Sequence, residues 1–493
     1  MSAPGHGKEG PVLKNTLILV GAQLLGTPLT IVMNAFMGRY LGASGLGDVY
    51  LAGTLMAFGF LFVEWGHSGV LPAAVAQDRS RAGLLLGSSI AWRLGASVVV
   101  SAILLLGCWL LGYTPQFQVI LAIVAVQWLL IVISNACQEV VRGFERTDVS
   151  ALGKLGSQVL SLVLILPTLL LGGGLVLVMV VQAITQLIIL ALVWRATLRV
   201  CELKLTYSWP EAKNLMHRGH PFLIFGLALT LQGNVDAIFL SKLTTPDVVG
   251  WHAAAQRLSG TLTIPATALV AALYPTLSRL LVEDMDAFRR TAARAVRGTT
   301  VLAIPLAVCC GVYREVGISL YGEQNFGPAG DSLLILSGLL FLVYFSMPLG
   351  TTLVAAGKQR AWAIAQACCV LVSLVLNPLL IPYFQDNYGN GGLGVCIGQV
   401  TSEIFMVSIA LALAPKGVLD RSVAVTVGKA VLAGGAMAVV AYFLRWLTPF
   451  VAAPISVVSY FVALWAVGGI DKEQIEAVRG QLQRRFGRAK TEA

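Results

Sequence analysis

Apolar stretches, each about the 18 to 22 residues that a bilayer requires, recur from one end of this chain to the other. Two of them are "TLILVGAQLLGTPLTIVMNAFM" (16 to 37) and "VLAGGAMAVVAYFL" (431 to 444). Hydrocarbon offers no partner to a backbone N–H or C=O, so a chain with this many immersed stretches must satisfy its backbone within each one, as helix. Windows of about 20 residues place roughly fourteen spans, centred near residues 27, 60, 98, 127, 162, 184, 231, 262, 305, 342, 371, 403, 435 and 458. The chain reads as an all-α polytopic membrane protein. A mean hydropathy of +0.80 with only 12% charged residues excludes a soluble protein. The first apolar run follows the polar "MSAPGHGKEGPVLKN" without a small-residue cleavage site, and reads as a retained span rather than a signal peptide.

Net charge is +10, and its placement decides its meaning. With a cytoplasmic N-terminus, roughly 28 of the 34 basic residues fall in inner segments, including Arg79, Arg81, Arg142, Arg146, Lys154, Arg195 and Arg199. Only Arg39, Lys242, Arg314 and Arg445 fall outside. That asymmetry predicts both termini in the cytoplasm and accounts for the basic pI without a nucleic-acid partner. No loop is long enough for a separate soluble domain. The inner stretches near 195 to 220 and 278 to 297 read as amphipathic helices on the membrane surface, and 471 to 493 as a basic cytoplasmic tail held by anionic headgroups. The cysteines (108, 137, 201, 309, 310, 368, 369 and 396) lack metal-ligand spacing and read as small buried apolar residues.

"NAFMGRYLGASGLGDVYLAGTL" (34 to 55) returns about 203 residues later as "NVDAIFLSKLTTPDVVGWHAAAQRL" (234 to 258). Phe36 meets Phe239, Arg39 meets Lys242, Gly47 meets Gly250, Ala52 meets Ala255 and Pro72 meets Pro275. With small gaps the register continues, Gly143 pairing with Gly357 and Gln182 with Gln399. The first twelve spans are therefore two halves of six, residues 1 to 205 and 206 to 415. An even number of spans per half puts the relating pseudo-two-fold along the membrane normal, and transporters of this build bind substrate between the halves. Residues 416 to 470 add two further spans.

The hairpin motifs, together with "ALYPTLSRL" (272 to 280), "LYGEQNFGPAGDSLLIL" (320 to 336) and "LNPLLIPYF" (376 to 384), resemble the oligosaccharide-lipid flippases of the multidrug/oligosaccharidyl-lipid/polysaccharide exporter superfamily. The resemblance runs to about residue 415. It implies two six-helix lobes in a V shape that rock to turn an undecaprenyl-pyrophosphate-linked oligosaccharide from the inner to the outer leaflet of the bacterial cytoplasmic membrane. It also implies a transporter rather than an enzyme, with membrane lipids and a polysaccharide polymerase as partners. In the peptidoglycan-precursor members an added helix pair forms a groove for the lipid tail.

Ionised side chains inside spans cost about 2.5 to 3.5 kcal/mol each even on lenient scales, so they face protein or a wet cavity. Asp236 and Arg257 each lie about seven or eight residues from the "LTTPD" turn, roughly 10 to 12 Å below the outer surface, and are predicted to meet as a pair. The inner turn "AQDRSRAG" likewise puts Glu64 and Arg93 at matching depth. A pyrophosphate-headed amphiphile needs arginines for its phosphates, and Arg39, Arg93 and Arg257 are the candidates. Gln182, Asn234, Gln256 and Gln399 are candidates for sugar hydroxyls, although hydrogen bonding between helices explains such residues as well. Each charge pair reads equally as a structural lock between helices. Asp236, Glu64, Glu403 and His252 are candidates for a coupling H+ or Na+. "AAGKQR" (355 to 360) lacks the glycine spacing and hydroxyl of a phosphate-binding loop, so no ATPase module is present and no cofactor is expected.

A peptidoglycan-precursor flippase and a multidrug cation exporter remain open as alternatives. Cavity charge separates the exporter from a glycan flippase, because arginines repel cationic drugs. A glycan polymerase would need a large outer loop, which this chain lacks.

Overall fold

The structure is a computed structural model that describes residues 9 to 200 and 205 to 469. The predicted tail at 471 to 493 and Cys201 lie outside these residues. The described residues are helical throughout, without a strand. In chain order the helices are α1 (Glu9–Glu64), α2 (His67–Gln77), α3 (Ala82–Leu110), α4 (Pro115–Gly143), α5 (Asp148–Leu170), α6 (Leu175–Val200), α7 (Trp209–Leu243), α8 (Pro246–Leu262) and α9 (Ile264–Glu283). There follow α10 (Met285–Val312), the short α11 (Arg314–Ser319) and α12 (Glu323–Phe326), α13 (Ala329–Ala355), α14 (Gln359–Tyr388), α15 (Gly392–Leu413), α16 (Arg421–Phe443) and α17 (Pro449–Ala466).

Every predicted span centre falls in or beside one of these helices. Twelve stretches among the described residues are long and apolar enough to cross a membrane. The first of them, Leu25–Gln77, holds the two centres at 27 and 60, because α1 turns at Gly42 (φ 74°, ψ −179°), a conformation that glycine adopts without a steric penalty. The centre at 231 lies in α7, whose Lys213, Arg218 and Asp236 lower its apolar content. The span centred at 262 is two helices meeting at Thr263, where Pro265 removes an N–H from the ladder.

The inner stretches predicted to be separate surface helices are not separate. α7 is continuous from Trp209, and Asp284 alone intervenes between α9 and α10, its carboxylate capping Asp286 N and Ala287 N at 2.9 Å. At 1.5 Å per residue the 35-residue α7 is about 52 Å long, against about 30 Å of hydrocarbon.

The chain divides into two compact units that cut across the sequence repeat: Met1–Arg257 with Ser319–Ala329 and Ser373–Val395, and Leu258–Ile318 with Gly330–Val372 and Cys396–Ala493. The first unit has a core of Val70, Leu71, Leu85, Leu86, Val140 and Ile189, contributed by α2, α3, α4 and α6. In the second unit α16 and α17 close on α10 through Ile304, Ala433, Met437 and Tyr460. Tyr460 OH donates to Val301 O at 2.9 Å, and Gly434 lets Ile304 approach so closely that a Cβ there would stand 2.4 Å from its Cγ2. Of the seven described cysteines five are buried, and none is bridged.

Candidate functional site

The two copies of the repeated hairpin meet within the first unit, and they meet reciprocally. A Cβ built on Gly47 would lie 2.2 Å from Pro246 O, and one on Gly250 would lie 1.9 Å from Ala43 O. Ala43 and Pro246 are themselves 203 residues apart, as are Gly47 and Gly250. Each glycine therefore receives the backbone of the residue that precedes the other glycine by one turn. Helix backbones can touch like this only where both carry small residues. Asp48, which follows Gly47, and Asp247, which follows Pro246, come within reach of each other's charge.

Further contacts secure the same end. Arg39 Nη2 donates to Ser319 O at 2.9 Å, and Gly38 leaves room for the rings of Tyr321 and Phe326. Trp251 Nε1 donates to Asn325 O at 2.7 Å. Lys242 Nζ lies 3.4 Å from the centroid of the Tyr113 ring and donates to Leu111 O at 2.7 Å, while Tyr113 OH meets Ser241 Oγ at 2.8 Å. Behind the glycine contact lies a polar cluster. His252 is fully buried, its ring edge-on to Tyr50 with centroids 6.4 Å apart. Arg257, half-buried, lies within electrostatic reach of Tyr50 and Tyr321.

One predicted charge pair, Glu64 with Arg93, names the wrong partner. Asp236, 3% exposed, accepts a hydrogen bond from Asn377 Nδ2 on α14 at 2.6 Å. Arg93 pairs with Glu139 on α4, Nη2 to Oε2 at 2.7 Å, and its Nη1 donates to Val132 O at 2.6 Å. Both side chains are sealed, at 0% and 1% exposure. Glu64 is within electrostatic reach of Glu139 instead. Distance from a turn fixes a residue's height and says nothing of which neighbour its helix face meets. Glu139 and Asn377 were the residues missed. Both are polar groups inside apolar runs, which was the available signal.

The other candidates are spread over both units. Asn234 Nδ2 donates back to Thr230 O at 3.2 Å, a local bond within α7. Gln256 on α8 and Gln182 on α6 are half-buried in the first unit. Gln399 and Glu403 sit on the part of α15 that belongs to the second unit, where Glu403 accepts from Ser346 Oγ. Among the described residues no group of three or more His, Cys, Asp or Glu is placed to hold a metal ion.

A bundle of membrane-length helices, a repeated half, a reciprocal contact between the repeats and buried charges define a two-half membrane transporter. The chain belongs to the polysaccharide biosynthesis protein family, whose model matches residues 12 to 281, and is thereby a flippase of the multidrug/oligosaccharidyl-lipid/polysaccharide exporter superfamily rather than an enzyme. The MatE model matches residues 221 to 379. A protein of Haloferax volcanii named as the probable flippase AglR is 26% identical over 388 residues, 75% of this chain and 77% of its own. In fold the chain is similar to the lipid II flippase MurJ in an inward closed conformation, with a TM-score of 0.73 at 12% identity over 92% of this chain and 98% of the other. It is also similar to an inward-facing multidrug resistance MATE transporter, with a TM-score of 0.63 at 16% identity over 78% and 94%.

Proposed function

We propose that the chain carries an undecaprenyl-pyrophosphate-linked oligosaccharide, the repeat unit of a polysaccharide, from the inner to the outer leaflet of a bacterial cytoplasmic membrane by alternating access. The observation that carries this reading is the reciprocal contact at Gly47 and Gly250. It brings the backbones of the two sequence halves into contact at one end, beside the side-chain bonds of Arg39 and Lys242, a junction that can part and re-form. With the predicted orientation that end faces outward. Membership of a polysaccharide biosynthesis family and the likeness to a probable flippase support a glycan-bearing lipid as cargo.

Of the three candidate arginines, Arg257 is the one we assign to the pyrophosphate. Arg257 is half-buried within electrostatic reach of Tyr50 and Tyr321, whereas Arg93 is sealed, at 0% exposure. Asn234, Gln256, Gln182 and Gln399 supply neutral donors and acceptors for sugar hydroxyls. Two observations favour other cargoes: the fold of a lipid II flippase and the MatE match over residues 221 to 379.

The test is reconstitution of the purified chain in vesicles, separately loaded with a labelled undecaprenyl-pyrophosphate oligosaccharide, lipid II and a fluorescent cationic dye. Transbilayer movement is read with an impermeant reagent. Movement of the oligosaccharide lipid alone is the expected result. Preference for lipid II or for the dye would replace this reading with the corresponding alternative.

A further inference from the structure

α3 and α6 both pack on α4, and between them, within the first unit, runs an open groove of about 590 Å³. Small residues create it. Gly87 and Ala91 on α3 and Ala191 on α6 stand where larger side chains would close the gap, while Leu94, Leu187 and Leu190 form its apolar walls. Residues 205 to 207, in the connector from α6 to α7, roof one end. The roof is fixed to α3: a Cβ on Gly87 would stand 2.4 Å from Thr206 O, and Ser208 N donates to Ser88 Oγ at 3.2 Å.

The helices set the depth of the groove. Gly87 lies five residues into α3 and Trp194 six residues before the end of α6, so the roofed end begins about 8 to 9 Å from the helix termini. Leu94 and Leu187 lie seven residues further along their helices, roughly 10 Å deeper. Half of a hydrocarbon core is about 15 Å thick, so the groove occupies the acyl region of one leaflet. That leaflet is on the side of Arg79 and Arg81, which precede α3, and is the inner one in the predicted orientation.

The shallow end carries the chemistry of a headgroup site. Trp194 and the exposed Tyr207 line it, and aromatic rings of this kind settle at the membrane interface. Arg195 and Arg199 are exposed on the last two turns of α6, directly after Trp194. Among the described residues neither has an ion-pair partner, whereas Arg79 and Arg81 are paired with Glu145 and Glu211. The uncompensated positive charge at this end is therefore that of α6, beside the groove.

We propose that the groove binds one anionic phospholipid of that leaflet, with an acyl chain between α3 and α6 and the phosphate held by Arg195 and Arg199. The volume suits a single acyl chain and is too small for a whole undecaprenyl tail. Two unpaired arginines favour an anionic headgroup over a zwitterionic one. The inference does not depend on which cargo is moved.

The test uses the full-length protein in phosphatidylcholine nanodiscs doped with a phosphatidylglycerol that carries a photoreactive diazirine on its acyl chain. A phosphatidylcholine with the same chain is the control probe, and labelled positions are mapped by peptide mass spectrometry. The phosphatidylglycerol probe should mark residues 87 to 94, 187 to 194 and 205 to 207 more strongly than the control does, and more strongly than it marks the exposed faces of α16 and α17. Unlabelled phosphatidylglycerol should displace it, and undecaprenyl phosphate should not. Ala91→Trp fills the groove and should lose the excess labelling. Arg195→Gln with Arg199→Gln changes only exposed side chains, so it should keep the fold and lose the preference for phosphatidylglycerol. Labelling no stronger than on α16 and α17, equal labelling by the two probes, or a preference unchanged in the double arginine variant would overturn the site. Displacement by undecaprenyl phosphate would reassign the groove to the cargo's tail, and cross-linked pairs of chains in place of lipid adducts would reassign it to a second copy. Absence of glycan movement with the labelling intact would defeat the function proposed above and leave the lipid site standing.

Discussion

Gly47 and Gly250 hold equivalent positions in the two halves of the repeat and lie against each other, a Cβ on the first falling 2.9 Å from the amide nitrogen of the second. The atoms in the way are backbone, which cannot rotate aside.

Replacing Gly250 by leucine is therefore expected to prise this end open, at a cost of roughly 1 to 3 kcal/mol or more to the closed form. A single cysteine placed at Tyr50, behind the contact, should react faster with a hydrophilic thiol reagent in Gly250→Leu than in its absence. Equal rates would show that the contact does not close the end. Asp48→Asn should act in the opposite direction and slow labelling, because it removes the repulsion from Asp247.

Arg93 and Glu139 form a lock with no solvent access. Removing one partner strands the other, so Arg93→Ala or Glu139→Ala should destabilise the protein by about 3 to 5 kcal/mol. The joint change Arg93→Met with Glu139→Leu should recover most of that loss. Thermal unfolding in detergent distinguishes the two outcomes, and a double variant as unstable as the singles would mean the pair is not the relevant unit.

Asn377→Leu should cost about 1.5 to 3 kcal/mol by leaving the Asp236 carboxylate without this donor, whereas Asn377→Gln or the exchange Asp236→Asn with Asn377→Asp should cost less. Denaturant titration in mixed micelles measures the difference. Insensitivity to Asn377→Leu would mean that the 2.6 Å bond contributes nothing to stability.

Orientation rests on the charge asymmetry and can be read directly. Cysteines at Thr245 and Asn387, both exposed, should be labelled from outside by an impermeant reagent in intact cells, and cysteines at Ser80 and Gln359 should not. Asn390, in the same loop as Asn387, is unsuitable as a probe: it is 4% exposed and donates to Pro328 O. The reverse labelling pattern would invert the topology.

How much of this was legible beforehand follows from what the bilayer enforces. Span positions could be read because hydrocarbon demands a continuous apolar helix, and the repeat because related halves keep the same small residues where backbones touch. Gly47 and Gly250 stood out as a match in register long before their contact was known. The partner of Arg93 was not legible. Glu139 lies near the inner end of its helix, in "CQEVVRG", and reads as an interfacial carboxylate until α3 is seen to bring Arg93 down to it. Asn377 sits in "VLNPLL", whose proline draws attention away from the asparagine.

The reciprocal junction also bears on speed. Burying a long flexible side chain costs up to about 2 kcal/mol in lost rotamers, and that cost returns each time such an interface is rebuilt. Glycine and alanine have no rotamers to lose. Where Ala43, Gly47, Pro246 and Gly250 meet, separation frees almost nothing and rejoining has almost nothing to sort. What rotamer cost there is in rejoining this end is left to the side chains around the contact, those of Arg39, Lys242 and Trp251.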